Sequence, residues 1–585
     1  MFGFGEIILA ALLAASVQSQ GHDQPEELSK AARAATPQQQ NEICPRFQTG
    51  SMVSPPEDLR SRNGVLEVHL SMRNSLAANG EMRYCYLNAD GSQAPTLRLH
   101  PGDLLILSLK NELSLPSPSM SSHADAKSLC EGGMMTAAAT NLHFHGLYLP
   151  PLCHQDETLG TLIQPSDSAF EYRVRIPISQ PPGLYWYHPH PHGFSEAQVL
   201  GGASGALIVE GIERANPLVA GLPEVVLVVR DQKMPISPPK TSAEERAYLP
   251  EKPSKDLSIN FIPVPYPDYP TAIIKMKPSE RQLWRVLNAS ADTYLDLQVR
   301  FGRKPQNLGV VALDGVPLGY GGENSRGRIV WQSDIAIPAG GRAEFIVNGP
   351  PEGVQATLVT LGVETVPFVD DEDLLPPQGS SNNTNIPDDD DNTPPRPLAT
   401  IIASPSAGEP PSIPPSSSAT LTSQGLPLLA SVKPVRQRKL YFSEKVLDPK
   451  HPSTSTIFYI TEEGQTPAAY DPASTTPNIS VRQGDVEDWT IENRSQELHT
   501  FHIHQTHFVV LERNGAAVDE PNLRDTVSVG FWDGNSSQYP SVKLRIDFRD
   551  PNIVGTFPYH CHILQHEDGG MMGTIQVLSV SKPAK

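Results

Sequence analysis

The stretch His560-Cys561-His562-Ile563-Leu564-Gln565-His566, followed by Met571, constrains this chain more than any other. A thiolate, imidazoles and a weak thioether form the ligand set of a blue-copper electron-transfer site. If the stretch is a strand, alternate side chains point to opposite faces. Cys561 then serves one metal on one face, while His560 and His562 serve others on the far face. The backbone between them becomes a short covalent path for electrons.

Ten of the 18 histidines lie in four compact groups. Besides the cysteine stretch these are His143-Phe144-His145, Trp186-Tyr187-His188-Pro189-His190 and His499-Thr500-Phe501-His502-Ile503-His504. One H-x-H pair is weak evidence, because two histidines on a strand face often sit at a surface. Four groups, two toward each end and one enclosing a cysteine, point to several metals. In the second group His188, His190 and His192 alternate, so either adjacent pair fits a metal. His154 and His507 are expected not to be ligands.

At 585 residues the chain is long enough for two to four domains. Residues 1–20 read as a cleaved secretory signal, with the apolar run Ile7–Ala15 too short to span a bilayer. Residues 21–40 read as a flexible leader. Short β-rich runs separated by Gly and Pro fill 44–212, 213–366 and 435–580, interrupted by a predicted surface loop with a short helix at Ser114–Thr140. The middle block holds no histidine, so no metal is expected there. Residues 367–434 are rich in Pro, Ser and Asp and predict a disordered linker. Gly102-Asp103 leads into a strand ending at Asn111, Gly484-Asp485 into one ending at Asn493 with the same spacing, and Leu283–Asn288 is a weaker echo. Three related β-sandwiches account for this.

A formal charge of -20 argues against nucleic acid or an anionic membrane as partner, and no later stretch predicts stable membrane insertion. With Cys561 claimed by the metal, Cys44, Cys85, Cys130 and Cys153 are left for two disulfides in one of three connectivities. Sequons at Asn288, Asn382, Asn478, Asn493 and Asn535 fit a secreted glycoprotein.

The four histidine groups, with Arg524-Asp525-Thr526-Val527 and the run Pro338–Val347, resemble the multicopper oxidases, the family of laccases, bilirubin oxidases and ferroxidases. The resemblance implies an all-β fold of three cupredoxin-like Greek-key β-sandwich domains and four copper ions. By that resemblance His499, Cys561, His566 and axial Met571 would hold type 1 copper. His143 and His502 would hold type 2 copper, and His145, His188, His190, His504, His560 and His562 the type 3 pair. Glu567 and Asp156 resemble proton-relay acids, with Glu157 a neighbour able to take the latter's role. Dioxygen is the implied acceptor and a small aromatic reductant the expected donor. Met571 favours electron-rich phenols or low-valent metal ions. A metal-ion oxidase for Fe(II) or Cu(I), with Glu497 as a candidate carboxylate, is the alternative. A copper-storage protein without turnover is the alternative of another class.

Overall fold

The computed structural model describes residues 42–114, 129–132, 135–234, 251–320, 327–367, 393–415, 429–448 and 455–580. The expected signal and leader lie outside these residues, as do most of 114–128 and residues 368–392 and 416–428 of the expected linker. No helix among the described residues is long and apolar enough to cross a membrane.

The chain from Ile43 onward is built from three pairs of sheets, each enclosing its own apolar core. In the first, a four-stranded sheet around Val65–Leu76 and Leu104–Asn111 faces a five-stranded sheet that holds His143–His145 and Gly183–His188. The strand Val65–Leu76 alternates buried Leu66, Val68, Leu70 and Met72 with more exposed residues, the period-2 signature of a half-buried strand. In the third, a six-stranded sheet faces a five-stranded one in which His499–Ile503 pairs with Gly555–Cys561. Trp489, Phe501, Tyr559 and Cys561 fill the core between them.

The repeated motif has a structural cause. Gly102 and Gly484 adopt φ of +94° and +98°, a turn conformation that favours glycine. Asp103 and Asp485 accept main-chain hydrogens from His100 and Arg482 across those turns. The strand-ending asparagines close the edge in all three sandwiches. Asn111 donates to the carbonyls of Ala138 and Ile163, Asn288 to those of Thr293 and Ile337, and Asn493 to those of Glu497 and Val529.

Two expectations are corrected. Residues 367–434 are not wholly a linker: Arg396–Ala403 is a strand, parallel to Ala272–Met276 and antiparallel to Ala356–Thr360. Leu398, Ala399 and Ile401 are buried in the second core, so a short apolar run finds partners that average composition concealed. Asn288 and Asn493 are fully buried with both side-chain donors engaged, so these two sequons carry no glycan in the folded chain. Asn478 and Asn535 lie on the surface, and Asn382 falls outside the described residues. Among the alternative connectivities, the structure forms Cys44–Cys85 and Cys130–Cys153, leaving Cys561 free and buried.

Candidate metal centre

Antiparallel pairing of His499–Ile503 with Gly555–Cys561 puts Phe501 opposite Cys561 and His502 opposite His560. Residues of one parity, His499, Phe501 and Cys561, turn into the third core. Those of the other, His502, His504, His560 and His562, turn toward the first sandwich. The short helix Leu564–Asp568 then returns His566 to Cys561.

On the core side the Cys561 Sγ lies 3.7 Å from His499 Nδ1 and 3.8 Å from His566 Nδ1, and the two nitrogens are 3.0 Å apart. The outer ring nitrogens are engaged: His499 Nε2 with Ser495 Oγ at 2.7 Å, and His566 Nε2 with Glu497 Oε2 at 3.3 Å. A proton fixed on the outer nitrogen leaves the inner lone pair aimed at the sulfur. Met571 is fully buried in the same core. Its carbonyl accepts from the Cys561 N–H, and its N–H donates to the His566 carbonyl. Burial pushes the Cys561 thiol up to about 12, so a thiolate here requires a cation against the sulfur.

The eight remaining predicted histidines meet between the first and third sandwiches, none more than 2 % exposed. His143 stacks on His504 at 3.8 Å between ring centroids, and His145 on His502 at 3.9 Å. His560 Nε2 is 3.4 Å from His190 Nε2 and 3.2 Å from His504 Nε2. His562 lies 5.0 Å from His145 and 5.7 Å from His188 between centroids. Burial, reinforced by neighbouring imidazoles, pushes His145, His188, His190, His504, His560 and His562 well below the usual histidine range, and His502 to about 3. They are therefore neutral, the form that binds metal.

Copper fits these residues. His143 Nδ1, His188 Nδ1, His502 Nδ1 and His560 Nδ1 sit against Asp156 or main-chain carbonyls, and His145 Nε2 sits 3.3 Å from Asp525 Oδ1. The opposite nitrogens of His143, His145, His188 and His502 are buried without a hydrogen-bond partner. Leaving several neutral lone pairs unpaired inside a protein is costly unless a cation takes them. The donor atoms of His143/His145/His188, of His143/His502/His504, of His190/His504/His560 and of His499/Cys561/His566 each lie within 4.8 Å of one another.

His188 and His190 enter the cluster, whereas His192 sits edge-on to Tyr470, 4.8 Å away. His154 stacks on Phe170 at the surface, and His507 is buried beside Tyr148, 3.7 Å from Asp525. Asp156, 1 % exposed, faces His143 Nδ1 at 3.1 Å and accepts from the Phe144 N–H and Gln505 Nε2. Glu157 instead braces its own loop through Leu159, Gly160 and Thr161. Glu567 is fully buried, 3.6 Å from His190 Nδ1 and 3.5 Å from His560 Nδ1. Burial, with Asp568 adding to it, raises its carboxyl well above the usual range. The sequence alone points to no role for Ser495, Gln505, Arg342 or Asp525; the last two lie in Pro338–Val347 and Arg524–Val527, segments that carry the family resemblance.

Multicopper oxidase family models match residues 134–214 and 447–580, the two segments that hold the histidine groups. These two segments are multicopper oxidase domains, of a family of oxygen-dependent oxidoreductases. The chain is 23 % identical over 531 residues to the multicopper oxidase mco of Staphylococcus epidermidis, covering 89 % of this chain and 88 % of that one. It is 24 % identical over 506 residues to the iron transport multicopper oxidase FET3 of Gibberella zeae, covering 82 % and 70 %. In fold it is similar to McoA of Aquifex aeolicus, with a TM-score of 0.61 and 17 % identity over 91 % of this chain and all of that one.

Proposed function

We propose that the chain is a secreted, laccase-like oxidase of the four-copper type, oxidising phenols or related aromatic reductants at the expense of dioxygen. His499, Cys561 and His566, with Met571, would hold one ion; His143 and His502 a second; His145, His188, His190, His504, His560 and His562 the remaining pair. Copper in these places supplies one-electron exchange at the first site and four-electron reduction of dioxygen to two waters at the others. The observation that carries the reading is a thiol site joined by single peptide bonds to the eight-imidazole cluster, since Cys561 lies between His560 and His562. A storage protein has no need of that junction. Two disulfides are in keeping with an oxidising compartment.

Dioxygen reduction consumes protons. Glu567 holds one at a buried carboxyl between His190 and His560, and Ser195 Oγ lies 3.5 Å from it. Asp156 fixes the His143 ring. Glu567→Gln is expected to lower kcat roughly 100-fold, the lower range for loss of a positioned proton donor, without changing the visible absorption of the thiolate site. Steady-state oxygen uptake and absorption spectra check this.

A small cavity beside Leu498 and Ile563, lined also by Asp292, Thr293, Tyr294 and Thr393, lies near the thiol site and is about the size of one water. A metal-ion donor is the second reading. It is favoured by Glu497, whose partly exposed carboxylate meets the outer nitrogen of His566 and would attract a cation there. Oxygen uptake with a dimethoxyphenol, Fe(II) and Cu(I), compared before and after Glu497→Ala, separates the two. A phenol preference that survives the substitution supports the aromatic reading. A metal-ion preference that falls about tenfold on loss of that interaction, about 1.4 kcal/mol, supports the second.

A further inference from the structure

The second sandwich supplies no histidine, yet it forms one wall of the eight-histidine cluster. Its turn at 338–342 reaches into the gap between the other two sandwiches. Gly340 adopts φ +77°, and a Cβ there would come 2.7 Å from Cε1 and Nε2 of His562. Two residues on, the fully buried Arg342 donates to Asp525 from Nη1 at 2.8 Å and Nη2 at 2.5 Å. Asp525, from the third sandwich, accepts from Thr526 Oγ1, faces His145 Nε2 of the first sandwich at 3.3 Å, and offers its carbonyl to His502 Nδ1 at 2.8 Å. Gly146 permits the approach: a Cβ there would lie 2.6 Å from both Arg342 and Asp525. The residue that this ion pair anchors thus meets the outer nitrogens of two histidines from different sandwiches, His145 through its carboxylate and His502 through its carbonyl.

We propose that Arg342 and Gly340 are positioning residues for the metal cluster. Arg342 orients Asp525, so that the protons of His145 and His502 point outward and their free nitrogens inward. Gly340 sets how deeply the His562 ring sits. A bidentate guanidinium–carboxylate pair constrains both partners in a way that a single ammonium does not. The middle sandwich therefore determines cluster geometry without contributing a ligand. This rests on the eight histidines being copper ligands.

The test uses the full chain loaded with copper, as wild type, Arg342→Lys, Arg342→Met and Gly340→Ala. Copper per chain, the electron paramagnetic resonance of the non-blue copper, the visible thiolate band and the unfolding temperature of the copper-free protein are measured together. Expected are an unchanged thiolate band, an altered non-blue resonance and cluster affinity for copper lowered roughly 10–100-fold, with Lys recovering part of the loss relative to Met. Gly340→Ala should disturb the cluster while leaving every charge in place, and it keeps the test alive if Arg342→Met does not fold. An unaltered resonance and affinity in Arg342→Lys and Gly340→Ala overturns the proposal. So does an equal loss of both copper signals in step with a lower unfolding temperature, which is the mark of a merely structural role. A wild type that takes up no cluster copper overturns instead the ligand assignment beneath it.

Discussion

Replacing Cys561 by serine removes the visible thiolate absorption of the copper-loaded protein and lowers oxidation of any donor by more than about 100-fold, since even the outer partners of metal ligands are each worth roughly 10–100-fold. The expectation follows from geometry. The Cys561 sulfur lies at hydrogen-bonding distance from both His499 and His566, and its N–H is held by the Met571 carbonyl, so the backbone stays in place when the sulfur changes. Serine is a smaller, harder ligand than a thiolate. The eight-histidine cluster on the opposite strand face is untouched by the change, and its copper content should persist. Absorption, copper analysis and oxygen uptake on one preparation check all three parts. Retained turnover would show that electrons enter by another path.

Replacing Arg285 by methionine is expected to destabilise the protein by about 3–5 kcal/mol, the cost of leaving a buried charge without its partner. Arg285 is fully buried in the second sandwich and bonds both Glu224 and Glu344. Glu224 retains Arg98 of the first sandwich at 3.0 Å, so Glu344 bears most of the loss. The consequence reaches the metal site, because Glu344 Oε1 accepts the Leu184 N–H at the start of the strand that ends in His188. Adding Glu344→Leu to the variant should recover part of the stability by removing the orphaned carboxylate, whereas two independent effects would simply add. Denaturant unfolding of the single and double variants measures the difference.

The histidine cluster was legible because H-x-H on a strand is a local rule: alternation alone sends His560 and His562 to one face and Cys561 to the other. The sandwich repeat was legible for a similar reason, since Gly102-Asp103 and Gly484-Asp485 each make a self-contained turn. What the sequence did not show depends on partners far apart in the chain. Arg342 meets Asp525 across 183 residues, and Asp525 meets His145 across 380, so neither contact leaves a local pattern. The strand Arg396–Ala403 was hidden by its Pro- and Ser-rich surroundings, and its pairing with Ala272–Met276 and Ala356–Thr360 explains why it is ordered. The buried sequons fail for the converse reason. Asn288 and Asn493 match a surface motif, yet each is the strand-ending asparagine whose amide closes the sandwich edge.

The central claim, that one thiol site and one histidine cluster act together as a four-electron oxidase, is tested most directly by stoichiometry. Copper-loaded protein is given a limiting one-electron donor such as a dimethoxyphenol while dissolved dioxygen and peroxide are followed together. Four donor molecules oxidised per dioxygen, with no peroxide at any time, is the predicted result. Two per dioxygen with peroxide accumulating would contradict it, because the buried imidazoles would then not be working as one cluster.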